Sequence, residues 1–124
     1  MTAVLTEAVI AALEKLDIPG GVHDAAPERA AYPHAFVDIG PVSDWGNKSG
    51  AGREARIAVT IADKGRSAAR LHGLMNEAEG AVSAVGAVSG WSLVSLRFLR
   101  SRVARDRDGR WAGVIEFRAR MLAA

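Results

Sequence analysis

The sequence predicts an α+β domain: an antiparallel sheet of about four or five strands, mixed at one edge, with two helices packed on one face. Two segments repeat apolar residues at helical spacing, and several others repeat them at every second position. Strands also follow one another directly along the chain, which is typical of an antiparallel sheet with segregated helices. The predicted order is α-β-β-β-α-β-β.

Length and composition indicate a single globular domain covering residues 1–124. Of its 124 residues, 49% are hydrophobic and 24% are charged, and none is cysteine. Disulfides and thiolate metal sites are therefore excluded. We expect neither a membrane span nor a signal peptide, because the apolar runs fall short of about 20 residues and the N-terminal segment is acidic.

The N-terminal segment is predicted to be an amphipathic helix from Thr2 to Leu16, with Thr2 as a candidate cap. Its apolar stripe consists of Leu5, Val9, Ala12, Leu13 and Leu16. Pro19 and the two glycines after it end the helix. Residues 22–24 are predicted to form a short edge strand, and residues 25–31 a surface loop.

The middle of the chain predicts two strands around a glycine-rich excursion. The first runs from His34 to Val42, and Pro41 restricts it to an edge or an end. Residues 43–52 are rich in turn formers, so we expect a mobile loop. From Glu54 to Asp63 apolar and polar residues alternate, which predicts a half-buried strand.

The second helix is predicted over residues 67–85, with Ser67 as a plausible N-cap. Its apolar stripe consists of Leu71, Leu74, Met75, Ala78, Val82 and Val85. Gly80 weakens such a helix by ~1 kcal/mol relative to alanine. A bend or a close packing contact is therefore a possible reason for a glycine there.

Residues 91–122 are predicted to form two long strands joined around Asp108-Gly109, a pair that supplies the positive φ of a hairpin reversal. Apolar residues on alternate positions are expected to face the core. They are Val94, Leu96 and Phe98 on the first strand, and Ile115, Phe117, Ala119 and Met121 on the second.

This hairpin is strongly basic. It holds eight arginines against three acidic residues, an excess of five in a chain of net charge +2, so the remainder of the chain is slightly acidic. One interpretation is a solvated face whose charges protect edge strands from uncontrolled pairing. The other is a surface for an acidic partner or for nucleic acid phosphates.

The sequence contains no recognisable catalytic or metal-binding pattern. His23, His34 and His72 have no partner at a ligand spacing, and no G-x-S-x-G motif is present. The glycines after Gly46 do not form a P-loop, because a strand and not a helix follows them. We therefore expect no enzyme, cofactor or metal; an enzyme with a small-molecule pocket is the least supported alternative.

The candidate functional residues are interface residues in two segments. Trp45 is either an anchor for a protein interface or a residue packed on its own sheet. Asn47, Lys48 and Arg53 accompany it around the glycine-rich loop. In the basic hairpin the candidates are Arg100, Arg102, Arg105, Arg107 and Arg110.

The order and spacing of these segments resemble the tail completion or tail terminator proteins of long-tailed phages and gene transfer agents. The resemblance runs from about Leu5 to Ala119. It is carried by the N-terminal helix, by the segments YPHAFVDIG and SDW with the glycine-rich loop, by residues 56–61 and the second helix, and by LVSLR, DRDGR and IEFRAR in the basic hairpin. No single motif fixes the role of a residue.

The resemblance implies a structural subunit of a virion or related particle, assembled in the host cytoplasm. Such subunits form a ring, here expected to be six-fold, on the last layer of the tail tube. The implied partners are other copies of the chain, the tail tube protein and a head-side neck protein, with non-specific DNA contact in the channel. The competing hypothesis is a small nucleic-acid-binding domain that uses the arginines of residues 97–110 on phosphates.

Overall fold

A computed structural model describes all 124 residues and has the predicted order of elements. Neither helix is long and apolar enough to cross a membrane. The elements are α1 (Thr2–Leu13), β1 (Val22–His23), β2 (His34–Asp44), β3 (Gly52–Lys64), α2 (Ala69–Ser83), β4 (Trp91–Arg105) and β5 (Arg110–Ala123).

The strands form one five-stranded sheet in the order β1-β2-β3-β5-β4. β1 is parallel to β2, and every other neighbouring pair is antiparallel. The predicted antiparallel sheet with a mixed edge is therefore confirmed. β3 and β5 pair without interruption from Gly52–Leu122 to Lys64–Arg110, which makes them the rigid centre of the sheet.

Both helices cover the same face of the sheet, as predicted, and enclose one hydrophobic core. The helices contribute Leu5, Val9, Leu13, Leu71, Leu74, Met75, Ala78 and Val82. The sheet contributes alternate residues of its central strands, among them Ile57, Val59, Ile61, Ile115, Phe117 and Met121. The opposite face carries no helix, so its side chains are available to solvent or to a partner.

The helix ends differ from the predicted ones. α1 starts after Met1 and ends at Leu13, so Thr2 is not its cap, although Leu16 beyond the helix still packs against the core. The N-cap of α2 is Ala68 and not the predicted Ser67, which lies one residue before it. The Ser67 hydroxyl still accepts a hydrogen bond from the Ala69 N–H at 3.1 Å. No atom lies within 4 Å of a Cβ built on Gly80, so the close contact considered there is absent.

The excursion predicted over residues 43–52 is shorter in the structure. β2 passes Pro41 through an irregularity between Ile39 and Val42, and strand pairing continues to Asp44–Arg53. The loop closes where Asn47 and Gly50 exchange backbone hydrogen bonds of 3.0 and 3.2 Å. Only the tip of the segment is therefore a turn. The residues before and after the tip belong to paired strands, whose backbone hydrogen bonds satisfy their polar groups.

The predicted inward face of β4 is wrong in part. Val94 is 52% exposed and Phe98 37% exposed, and only Leu96 packs against the core as expected. Two irregularities, between Leu93 and Ser95 and between Phe98 and Arg100, interrupt the alternation of the strand. Val94 falls at the first irregularity, so period-two counting fails there. Phe98 is in phase, because it lies opposite the buried Phe117, but it is only partly covered. The inward residues of β5 are confirmed as buried.

Candidate assembly surfaces

The two candidate segments lie at opposite ends of the sheet. The β2–β3 turn projects beyond the Asp44–Arg53 pair, and the β4–β5 turn follows the strand end marked by the Lys64–Arg110 pair. β3 connects these two ends, and its 13 residues span about 40 Å at the usual strand rise. The subunit therefore offers two distinct end surfaces.

Asn47 and Lys48 form the tip of the β2–β3 turn. The Asn47 side-chain oxygen accepts the Ser49 N–H at 2.8 Å, and the Asp44 carboxylate accepts the Gly46 N–H at 3.2 Å. These contacts are the local ones that favour Asn and Asp in turns. Lys48 is exposed at the apex, so it is the freest of the candidates at this end.

Trp45 and Arg53 are held against their own chain. Trp45 is half-buried, with the Arg120 guanidinium 5.6 Å from its ring centroid. Its backbone N–H donates to the Gly52 carbonyl at 3.0 Å, and Arg53 Nη1 donates to the same carbonyl at 2.7 Å. Trp45 thus packs partly on its own sheet, and only part of the indole remains for an interface.

The β4–β5 turn is held by hydrogen bonds to one carboxylate. Asp106 Oδ1 accepts the N–H groups of Asp108 and Arg110, each at 2.9 Å, and Gly109 takes the turn's positive φ of 77°. Arg107 is exposed within the turn and Arg110 at its end. Because the backbone is fixed, these cations are displayed at a defined end of the molecule.

Arg105 lies on the other side of this hairpin and does not join the same cluster. Its guanidinium stacks over Trp111 at 4.8 Å from the ring centroid. Arg105 Nη2 and Trp111 Nε1 both donate to the Gly65 carbonyl, at 3.2 and 2.9 Å. Arg105 therefore ties the hairpin to the β3–α2 connection as well as contributing charge.

The helix-free face of the sheet carries a basic surface that includes only some of the predicted arginines. On this face Arg118 of β5 lies between Arg56 of β3 and Arg97 of β4. The strand register gives eight cations against three carboxylates there. The cations are Arg56, Lys64, Arg97, Arg100, Arg102, Arg110, Arg118 and Arg120, and the carboxylates are Asp38, Glu54 and Glu116.

Arg118 is poorly neutralised within this surface. Its side chain is 23% exposed, its buried Nε has no hydrogen-bond partner, and that atom lies 3.9 Å from Glu54 Oε1. Arg120 Nε donates to the same oxygen at 2.8 Å. The hydrogen bond from Arg120 is the main reason that the pKa of Glu54 lies below its ordinary value. The ionised Glu54 therefore neutralises Arg120 more than Arg118.

Arg100 and Arg102 differ although they neighbour each other. Arg100 forms an ion pair with Glu116, and the hydrogen bond from Arg100 lowers the pKa of that carboxyl. Arg102 faces Val114 across the strand pair and takes part in no salt bridge. Glu116 therefore neutralises one arginine and leaves Arg102 with its charge available.

Sequence reasoning missed Arg56 and the exposed apolar residues of the sheet edges. Arg56 alternates with buried residues on β3, which shows that it points outward but not what lies beside it. Only the register with β5 brings it next to Arg118. Val42 and Leu99 are each more than one third exposed. Pro41 indicated an edge or an end for the strand of Val42, but nothing in the sequence placed the strand of Leu99 at an edge.

Comparison with known proteins identifies the family of this chain and a similar chain in a solved particle. No curated protein matches the sequence. A chain in the structure titled "Virion of native gene transfer agent (GTA) particle" is 26% identical, with a TM-score of 0.63 over 99% of this chain and 95% of that one. The model of the family described as tail completion protein gp17 matches residues 2–122. Because this match includes both helices and all five strands, the chain belongs to the tail completion protein gp17 family.

Proposed function

We propose that this chain forms a ring at the head-proximal end of a phage or gene-transfer-agent tail tube, ends growth of the tube and joins it to the head-side neck proteins. The observation that carries the proposal is the family match over residues 2–122. As a member of this family, the chain has a structural role in the tail. The ring, its six-fold order and the named neighbours are the proposed part.

The placement of the two turns supports such a role. A terminal ring has to contact the tube on one side and the neck on the other, so each subunit needs two separate end surfaces. The β2–β3 and β4–β5 turns provide them at opposite ends of the sheet. In the proposal, one turn contacts the tube and the other contacts the neck.

Charge reversal of the β4–β5 turn tests the proposal. Replacing Arg105, Arg107 and Arg110 by glutamate leaves the hydrophobic core intact, because all three side chains are exposed, and removes only the contacts of Arg105 with Trp111 and Gly65. We expect a folded subunit that no longer joins tails to heads. Circular dichroism and urea unfolding report the fold, and electron microscopy of tails with heads reports assembly.

A matched control makes the same change of charge elsewhere. The control replaces five exposed positions in or next to the helices by glutamate, which changes the formal charge by the same amount and should leave assembly intact; the positions are Ala3, Ala11, Lys15, His72 and Asn76. Normal ring formation and tail joining by the hairpin variant would contradict the proposal. Equal loss in both variants would show that total charge, and not the turn, is what matters.

Contact between the helix-free face and DNA is a second candidate function, favoured by the Arg56–Arg118–Arg97 row. No aromatic residue accompanies these three positions across the strands, which suits phosphate contact and not base stacking. Duplex and single-stranded DNA should bind with a salt slope of about −0.9 per phosphate contact on duplex. Replacing Arg56, Arg97 and Arg118 by glutamine should flatten the slope, and no binding at low salt would reject this function without affecting the ring proposal.

A further inference from the structure

We infer that the two free edges of the sheet are the contact between neighbouring copies of this chain. The β4 edge is the outer side of Trp91–Arg105, and the β2 edge is the outer side of residues 37–44. The inference rests on the proposed ring and names the surfaces that close it. Each copy places its β4 edge against the β2 edge of the next copy, head to tail.

Both edges lack a neighbouring strand within the subunit. β4 is the last strand of the sheet and pairs only with β5. At the other side of the sheet, β1 pairs only with Ala35 and Phe36 of β2. The rest of β2 therefore has no partner strand on the side away from β3. An unpaired edge of this length has backbone groups and side chains that another chain can contact.

The exposed large hydrophobic residues of the subunit occur on these two edge strands and nowhere else. Val94 is 52% exposed, and Phe98 and Leu99 are each 37% exposed, on β4; Val42 is 39% exposed on β2. The helical layer and the two turns have none. Apolar side chains gathered on edge strands mark an association surface, because their burial against a partner removes them from water.

The two edge strands also carry opposite charge. β4 contains Arg97, Arg100, Arg102 and Arg105 and no acidic residue, whereas β2 contains Asp38 and Asp44 and neither lysine nor arginine. Arg97, Arg102 and Asp38 take part in no salt bridge within the subunit. Such complementarity favours contact between unlike edges and opposes contact between two copies of the same edge.

The two apolar segments lie at the same height on the sheet. Following the register across the strands, Val42 aligns with Ala55, Ala119 and Leu96. The same rows align Asp38 with Ala58, Glu116 and Arg100. A rotation without rise, as in a flat ring, thus brings the apolar part of one edge to the apolar part of the other.

Strand direction fits this arrangement. β2 and β5 point the same way, while β4 points the opposite way, because each neighbouring pair from β2 to β4 is antiparallel. Copies rotated about an axis along the strands therefore meet with antiparallel edges. The two edges differ, so the contact is heterologous and can close into a ring.

Both edges also have features that prevent unlimited sheet growth. β4 carries two register irregularities, β2 carries another near Pro41, and proline has no N–H to donate. These features interrupt a continuous hydrogen-bonded ladder between copies. Side chains and short paired segments consequently make most of the contact, which restricts it to the matching edge.

Cross-linking at the edges tests the inference directly. The chain has no cysteine, so Val42→Cys and Leu99→Cys each introduce a single reactive thiol. A short bis-maleimide linker is used because it tolerates an unknown register better than a disulfide does. Mixed single variants should link as a pair, neither alone should dimerise, and a chain with both changes should give a ladder of covalent oligomers.

A matched control and a charge exchange strengthen the test. Glu7→Cys on the exposed side of α1 is paired with Leu99→Cys and should not link. Asp38→Arg should weaken self-association about fivefold to tenfold, since it places like charge against the β4 edge. Adding Arg97→Asp to the same chain should restore part of the loss, because Arg97 is free of salt bridges and lies one outward-facing position from Arg100, which is level with Asp38.

The outcomes separate this inference from the proposed function. Rings that form on tail tubes without a Val42–Leu99 cross-link, and without sensitivity to Asp38→Arg, would overturn the edge contact and keep the ring. Linking of one single-cysteine variant to itself would show a two-fold contact and would also overturn it. Failure to form any ring, with or without tail tubes, would overturn both proposals.

Discussion

Arg118 and Arg56 lie directly opposite each other on neighbouring strands of the helix-free face, and Arg97 flanks Arg118 on its other side. Like charges in such cross-strand pairs oppose folding, typically by about 0.2–1 kcal/mol each. Each of the three arginines therefore adds repulsion to the isolated subunit. Residues that destabilise the isolated fold occur mainly at functional sites. The row of three arginines is therefore expected on a surface that contacts a partner.

Replacing Arg118 by leucine should stabilise the isolated subunit by up to about 1 kcal/mol, since it removes repulsion from both neighbours. The free energy of unfolding in urea measures the change, and added salt should reduce the difference because it screens the repulsion. Arg102→Leu is the control, as Arg102 faces the uncharged Val114. A clear loss of stability in the Arg118 variant would show that this side chain holds the sheet together instead.

Asp63→Asn should destabilise the fold by about 2 kcal/mol, the usual size for hydrogen bonds to a charged group. Asp63 is 2% exposed and accepts from Arg70 Nε and Nη2 at 2.9 and 2.5 Å, which ties the end of β3 to the start of α2. Asp44→Asn is the control, because the Asp44 side chain is 82% exposed. It should change stability by well under 1 kcal/mol.

The same pair predicts a pH dependence. Burial alone would raise the pKa of Asp63, but hydrogen bonds from Arg70 and the Lys64 N–H and the charge of Arg70 outweigh it, so the pKa lies below its ordinary value. The stability from the ionised carboxyl is thus present above the unfolded pKa of about 4 and is lost as pH falls through the folded value. The difference in the free energy of unfolding between the unchanged protein and Asp63→Asn, measured in urea, should shrink as pH falls below ~4. A difference that does not change with pH would contradict this account.

The sequence predicted elements whose pattern is uniform and failed where pairing changes the phase of a strand. Ile57 and Val59 alternate without interruption, and the structure buries both. On β4 the same rule put Val94 and Phe98 inward, but Val94 falls at an irregularity, and Phe98, although in phase with the buried Phe117, is only partly covered. The Arg56–Arg118 contact joins residues far apart in sequence, so only the register of the strands shows it.

Gly113→Ala should destabilise the fold, because the added Cβ would lie 2.4 Å from Met75 Sδ and 3.2 Å from Leu71 Cδ1, so the flexible end of Met75 would have to move. Overpacking of this kind costs about 1–3 kcal/mol. Thermal and urea unfolding measure the loss. The double variant Gly113→Ala, Met75→Ala should lose less stability than the sum of the two single variants, because the methyl group of the new alanine fills space left by the shortened Met75 side chain. Strictly additive losses would show that the two positions do not contact each other.

Gly80→Ala should stabilise the subunit by about 0.5–1 kcal/mol, since alanine loses less backbone freedom in a helix. A Cβ at this position meets no atom within 4 Å. Gly90→Ala is the informative comparison: its surroundings are equally open, but its φ of 79° suits glycine and strains alanine. The melting temperature should therefore rise for Gly80→Ala and fall for Gly90→Ala. A shift in the same direction for both variants would show that the backbone conformation of these glycines does not determine the effect.

Phe98 and Phe117 should respond very differently to truncation although they face each other across β4 and β5 with ring centroids 6.2 Å apart. Phe117 is fully buried, so Phe117→Ala should cost about 3–5 kcal/mol. Phe98 is 37% exposed, and Phe98→Ala should cost the monomer only about 0.5–1.5 kcal/mol, the value of an aromatic pair. Urea unfolding of the two variants gives the comparison, and similar losses would show that a covered and an uncovered part of the same strand pair are equally important to the fold. A small loss in the monomer combined with a large loss of ring formation would mean that Phe98 contributes mainly to contact with a neighbouring copy.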